Sequence, residues 1–146
     1  MKTKTIITSI VSILLGTLVF AQKDSLRLSC PMFDAVMKTQ KGSYKFNQPD
    51  MKVVIVSSTD TAARASIGGR ISNVTLNDEG TYDVVMYFRD YYLWYTGITK
   101  PSVKKGEVVK LGQVLGLIKP GNELEFLLFK NQEPLDPRKF LDCKSQ

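Results

Sequence analysis

Val103-Lys104-Lys105-Gly106-Glu107-Val108-Val109-Lys110-Leu111-Gly112-Gln113-Val114-Leu115-Gly116-Leu117-Ile118-Lys119-Pro120-Gly121-Asn122-Glu123-Leu124-Glu125-Phe126 decides the fold class of this 146-residue chain. Gly106 and Gly112 bracket a short apolar segment, residues 108–111, so each is expected to supply a positive-φ turn position in a chain that reverses twice. That is a corner of an all-β fold. Val114, Leu115, Leu117 and Ile118 make the near-continuous apolar run of a strand buried on both faces or crossing a small barrel, and Pro120-Gly121 ends it. Residues 123–129 then alternate. Because strand side chains repeat every two residues, Leu124, Phe126 and Leu128 share one face while Glu123, Glu125 and Leu127 share the other. Two carboxylates therefore leave a hydrophobic strand in the same direction.

Working outward, the segments before this corner carry the same signals. Val53-Val54-Ile55-Val56 is β-branched throughout, and residues 57–60 have turn composition. Gly68-Gly69 precedes an alternating segment in which Ile71 falls out of step with Val74 and Leu76, which predicts a bulge near Ser72. Asn77-Asp78-Glu79-Gly80 is a turn. Residues 82–88 and 91–95 are two aromatic-rich strands joined across Arg89-Asp90. Residues 22–49 form an extension of mixed character, within which 31–40 reads equally as a short helix or an irregular strand. A core domain over 50–141 and a short tail, 142–146, complete the organisation. No low-complexity segment or internal boundary falls within the core.

Length and an ordinary apolar fraction of 43% indicate one globular domain rather than a disordered or fibrous chain. Lys2 and Lys4 precede an apolar run from Ile6 to Phe20, and Ala21 offers a small residue for cleavage before Gln22. Residues 1–21 thus read as a signal peptide, and the protein as exported to the periplasm or the extracellular space. A membrane anchor would need about 20 apolar residues, and this run is shorter and broken by Thr8, Ser9, Ser12, Gly16 and Thr17, so no stable span is expected after cleavage. Removing residues 1–21 takes away two cations and no acid, and the formal charge falls from +6 to +4. The remaining basic residues are scattered and no recognition motif appears, which argues against nucleic acid as a partner. Cys30 and Cys143 form an even pair near the two ends of the exported chain, the pattern of a disulfide, with two free thiols as the alternative.

The order Gly68-Gly69, Tyr82-Asp83-Val84-Val85-Met86-Tyr87, Tyr95-Thr96-Gly97-Ile98, Leu111-Gly112-Gln113-Val114-Leu115-Gly116, Glu123-Leu124-Glu125-Phe126 and Leu135-Asp136-Pro137 resembles the β-sheet core domain of lysostaphin-like (LytM-like) zinc peptidases. Lipoyl and biotinyl carrier domains share the rhythm of short strands and glycine turns. They end differently, and no carrier lysine in a tight hairpin is evident. The peptidase resemblance implies a barrel-sandwich hybrid, a duplicated hybrid motif of short antiparallel strands, with a groove holding zinc on two histidines and an aspartate. Carried over residue by residue, the first motif falls on Asp50 and Val54, the Tyr-x-His motif on Tyr95-Thr96-Gly97, and the His-x-His motif on Glu123-Leu124-Glu125. The chain has no histidine at all. Zinc sites use imidazole, thiolate and some carboxylate, and Val54 ligates nothing, so neither zinc nor another cofactor is expected.

Two features remain open on sequence grounds. Asp50, Glu123 and Glu125 either hold a hard cation or are solvated or lysine-paired carboxylates, and calcium usually takes six or more oxygens. Tyr92, Trp94 and Tyr95 either line the groove and stack on glycan or peptide, or pack within the sheet. The resemblance implies a non-catalytic module that binds peptidoglycan or an envelope protein. A divergent peptidase acting on cell-wall cross-links, in which zinc would return, is the alternative.

Overall fold

The computed structural model describes residues 25–38 and 51–145; the segment read as a signal peptide and half of the extension, with Asp50, lie outside the described residues. The described chain is all-β apart from one short 3-10 turn. Its strands are β1 (Ala35–Lys38), β2 (Val53–Ser57), β3 (Ala62–Arg64), β4 (Gly69–Leu76), β5 (Tyr82–Phe88) and β6 (Tyr91–Ile98). They continue as β7 (Lys100–Pro101), β8 (Val108–Val109), β9 (Val114–Leu117), β10 (Leu124–Lys130), β11 (Glu133–Leu135) and β12 (Lys144–Ser145). The larger sheet runs β12-β1-β2-β10-β6-β5-β4-β8, with β11 also on β10, and a three-stranded sheet runs β3-β9-β7. Among the described residues neither sheet closes into a barrel. The outermost strands of the larger sheet are two residues each, too short to meet and abolish the edges as closure requires.

The inward face of the larger sheet packs on the smaller one. Leu124, Phe126 and Leu128 are all fully buried, as the alternation of β10 requires, and they meet Val53 and Ile55 of β2, Leu93 and Tyr95 of β6, and Val84 and Met86 of β5 in one core. Ala63, Leu115 and Ile118 close that core from the smaller sheet. The run from Val114 to Ile118 is not buried on both faces, however. The smaller sheet has only one covered side, so Val114 and Leu117 reach solvent while Leu115 does not.

Turn chemistry follows the sequence closely. Gly106 and Gly112 have φ of +87° and +78°, and their N–H groups bond to Ile71 O at 2.8 Å and Ala65 O at 2.9 Å. The bulge in β4 lies between Ile71 and Asn73. Asp136 caps the 3-10 turn Pro137–Lys139 by accepting from Arg138 N, and the guanidinium of Arg138 bonds both its carboxylate oxygens. The Arg138 hydrogen bonds hold that carboxyl below its ordinary pKa against the opposing effect of burial.

The segment before β1 belongs to the same core. Residues 35–38 form a strand, not a helix, and Leu28, Met32, Ala35 and Met37 are buried. Leu28 N–H donates to Phe140 O, Asp142 N–H donates to Leu28 O, and β1 pairs parallel with β12, so the two ends of the described chain lie side by side. Cys30 and Cys143 are joined there by a disulfide with a Cα–Cα distance of 4.8 Å, well within bridging range.

Candidate functional site

The outward face of the larger sheet carries Val54, Glu123 and Glu125, three of the positions to which the resemblance assigns a groove; Asp50 lies outside the described residues. Val54 of β2 stands opposite Lys38 of β1 on one side and Glu125 of β10 on the other. Glu125 faces Thr96 of β6, which faces Asp83 of β5. This cross-sheet row brings Val54 and Glu125 together as direct neighbours. Gly97 and Glu123 lie at the same end of the sheet.

The row does not offer a zinc site. Val54 is buried and carries no donor atom. Glu123 is bonded by Lys38 Nζ at 2.9 Å and Glu125 by Lys52 Nζ at 3.0 Å, so both carboxylates are lysine-paired on this face. Such half-exposed pairs are worth about 0–1 kcal/mol each, and their consequence here is charge neutralisation rather than stability. Among the described residues no three His, Cys, Asp or Glu side chains gather into a metal-ligating group. The donor set of hydrocarbon and lysine-bound carboxylates does not fit zinc.

Gly97 cannot stand in for a groove-facing histidine. It sits at the irregularity where β5 and β6 shift register, with φ of +101°, and a Cβ there would lie 2.8 Å from Glu123 O. The side chain of the sequence triplet that opposes Glu125 belongs to Thr96.

Two residues along the strands, the face turns aromatic. Leu127 opposes Trp94, which opposes Val85; in the next row Phe129 opposes Tyr92, which opposes Tyr87. Trp94 and Tyr92 are 37% and 42% exposed although they sit in the middle of an eight-strand path. Trp94 and Phe129 hold their ring centroids 6.4 Å apart, and Tyr87 and Tyr92 6.2 Å apart. With Val85 and Gln132, three of these rings line a shallow pocket of about 340 Å³. Tyr95 takes no part in it. It is fully buried on the inward face, stacked edge-on against Phe126 at 5.1 Å, and its hydroxyl accepts from Ser66 N–H at 3.0 Å. Burial pushes its pKa up to about 12.

The expectation that Tyr95 lines the groove with Tyr92 and Trp94 does not hold, because strand alternation turns its ring to the buried inward face; Phe129 and the two lysines, absent from the sequence expectation, join the outward face instead. Phe129 was legible as the next outward position after Glu125 and Leu127. Lys38 and Lys52 were not, because they lie 85 and 73 residues from their acids and only the sheet order brings them near.

No family model matches the chain, and no curated protein matches it in sequence. Solved structures do match its fold. Helicobacter pylori Csd3 aligns with a TM-score of 0.66 at 20% identity, covering 80% of this chain and 33% of that one, so the chain spans about a third of Csd3. A chain of the SpoIIQ–SpoIIIAH pore forming complex aligns at 0.61 and 17% identity, covering 81% and 92%. The catalytic domain of the antimicrobial peptidase lysostaphin from Staphylococcus simulans aligns at 0.51 and 24% identity, covering 61% and 76%. The fold is that of the lysostaphin-like peptidase domains, on a chain without a histidine.

Proposed function

We propose that this lysostaphin-like domain is an exported, non-catalytic binding module of the cell envelope, and that it holds its ligand on the aromatic end of the outward sheet face. The observation that carries this reading is the exposure of Tyr92 and Trp94 in the middle of the larger sheet, next to a row in which the described residues gather no metal-ligating group. Four rings in two adjacent rows offer a rigid surface on which sugar faces or peptide side chains stack, at low conformational cost to the protein. The neighbouring lysine–glutamate pairs add polar edges without a net charge of their own. The Cys30–Cys143 bridge supports export, since disulfides persist in oxidising compartments. Peptidoglycan and an envelope protein are the two ligand classes, supported respectively by the shared fold with lysostaphin and by that with a chain of the SpoIIQ–SpoIIIAH complex.

The test combines metal content with binding. Protein purified from the exported fraction is assayed for zinc by mass spectrometry, then for cleavage of purified peptidoglycan and for co-sedimentation with it, beside a pull-down from envelope extract. Binding with no stoichiometric zinc and no cleavage is expected. Stoichiometric zinc with chelator-sensitive cleavage of cross-links would make the divergent peptidase the better reading.

A further inference from the structure

At one end of the larger sheet, a long strand, β4, is left mostly uncovered by the described residues. β4 pairs with β5 along its length, but β8 covers its other side only at Gly69 and Arg70. The next residue is still covered: Ile71 N–H donates to Glu107 O and Gly106 N–H donates to Ile71 O, both at 2.8 Å. Beyond Ile71, residues 72–76 meet no further strand among those described.

The register states which backbone groups face that opening. Asn77 N–H donates to Thr81 O at 2.8 Å across the β4–β5 turn, and Leu76 is paired with Tyr82. In an antiparallel ladder the bonded positions alternate, so Thr75 also turns its groups toward β5 while Val74 and Leu76 turn theirs away. Two N–H and two C=O groups thus point outward, side by side on a short extended strand.

Edge strands are ordinarily blunted by proline, charge or brevity. β7 carries Lys100 and Pro101, β11 carries Glu133 and Pro134, and β8 and β12 are two residues long. The stretch Asn73-Val74-Thr75-Leu76 has neither proline nor charge, and Leu76 is 58% exposed. It is built as an edge that accepts a strand.

We infer that the occupant is the same edge of a second copy of this chain, paired antiparallel about a two-fold axis through Thr75. Two complementarities select that partner. With Thr75 on the axis, Val74 of one copy stands opposite Leu76 of the other, so the outward groups form two mutually bonded pairs and the exposed leucine covers an apolar neighbour on the same face. The charges at the ends of the edge are opposite as well. Arg70, whose guanidinium bonds Gly106 O at 2.9 Å, and the exposed Lys104 and Lys105 mark the end that the 104–107 turn closes. Asp78 and Glu79, both exposed, mark the other. Antiparallel self-pairing sets the basic end of each copy against the acidic end of the other, twice by symmetry; a parallel arrangement would set like against like. An edge this short buries less than the roughly 1,600 Å² of a standard interface, so the dimer is reversible and concentration-dependent.

Sedimentation of the purified, disulfide-intact protein over a wide concentration range, with hydrogen exchange at both extremes, tests this. The expected result is a monomer–dimer equilibrium that weakens with salt, and slowed exchange at Val74 and Leu76 only when concentrated. Leu76→Pro removes an outward donor and leaves the β4–β5 bonds intact, and Thr75→Lys sets two cations against each other on the axis; each should abolish the dimer with the circular dichroism unchanged. Should Leu76→Pro fail to fold, Thr75→Lys decides alone. Reversing the acidic end with D78K and E79K should also abolish dimerisation, and adding K104E and K105E should restore it. A monomer at every concentration overturns the inference, as does a dimer indifferent to Thr75→Lys. A monomer whose edge amides become protected only in envelope extract overturns self-pairing and assigns the edge to another protein's strand.

Discussion

Replacing Gly97 by alanine should destabilise the protein by about 2–4 kcal/mol, more than a surface substitution normally does. A residue with a Cβ loses roughly 1–2 kcal/mol in a left-handed backbone, and Gly97 has φ of +101°. The added methyl would also lie 2.8 Å from Glu123 O, a backbone atom next to the central strand β10, and relieving such overpacking typically costs ~1–3 kcal/mol. The unfolded chain returns only about 0.4–1 kcal/mol through its reduced freedom. Urea unfolding of the disulfide-intact protein, with unchanged slope and a lowered midpoint, reads the difference directly. The same geometry predicts that grafting a histidine at Gly97 fails before metal affinity can be judged, whereas Thr96→His, opposite Glu125, costs less than Gly97→Ala. Equal or higher stability of Gly97→Ala would refute the close approach of β6 to β10 and, with it, the placement of the whole row.

Reduction of Cys30–Cys143, or the double serine variant, should cost about 4–5 kcal/mol in the chain-entropy account, since the bridge closes a separation of 113 residues; chemical denaturation with and without reductant measures it, and a loss under ~1 kcal/mol would show that the paired termini hold without it. Tyr95, neutral and buried with its pKa raised to about 12, contributes stability that is complete below the ordinary tyrosine pKa and is lost as pH rises from about 10 through 12, by about 3 kcal/mol. Tyr95→Phe should flatten that alkaline limb while lowering neutral-pH stability by about 1–3 kcal/mol, because Ser66 N–H loses its acceptor; an unchanged limb would place the titration elsewhere. Lys38→Ala with Lys52→Ala should leave folding within ~1–2 kcal/mol of the parent and still confer no zinc binding, because freeing two carboxylates beside Val54 supplies no nitrogen ligand; zinc uptake by that variant, read calorimetrically, would contradict the account of the row.

Much of this architecture was legible because it is local. Strand parity alone separated Leu124, Phe126 and Leu128 from Glu123, Glu125 and Leu127, and glycine spacing located the turns at Gly106 and Gly112. The mismatch of Ile71 with Val74 located the bulge. The two-residue connection at Arg89-Asp90 was legible from spacing even though Arg89, not glycine, takes the positive φ of 55°. What escaped depends on sheet order. Residues 28–38 read as an unassigned extension because their apolar positions have meaning only against Val56 and Ile55 of β2 and the returning chain end at 144–145. The lysine partners of the two glutamates, and the cost of a side chain at Gly97, likewise follow from contacts between distant segments. The expectation of a two-sided burial for 114–118 failed because an apolar run does not reveal how many layers will cover it.

The most direct test of the central claim is the affinity of Trp94→Ala for the envelope ligand, measured beside its unfolding midpoint. Trp94 lies on the outward face, 37% exposed, with one ring neighbour in Phe129, so truncation should cost well under the roughly 3–5 kcal/mol of a core tryptophan. Loss of a stacking anchor from a binding patch should instead weaken retention on peptidoglycan or on the captured protein by 2 kcal/mol or more, roughly thirtyfold in Kd. The account predicts a folded variant that no longer binds. Unchanged binding by a folded Trp94→Ala, or a collapse in stability of the size expected for a core residue, would contradict it.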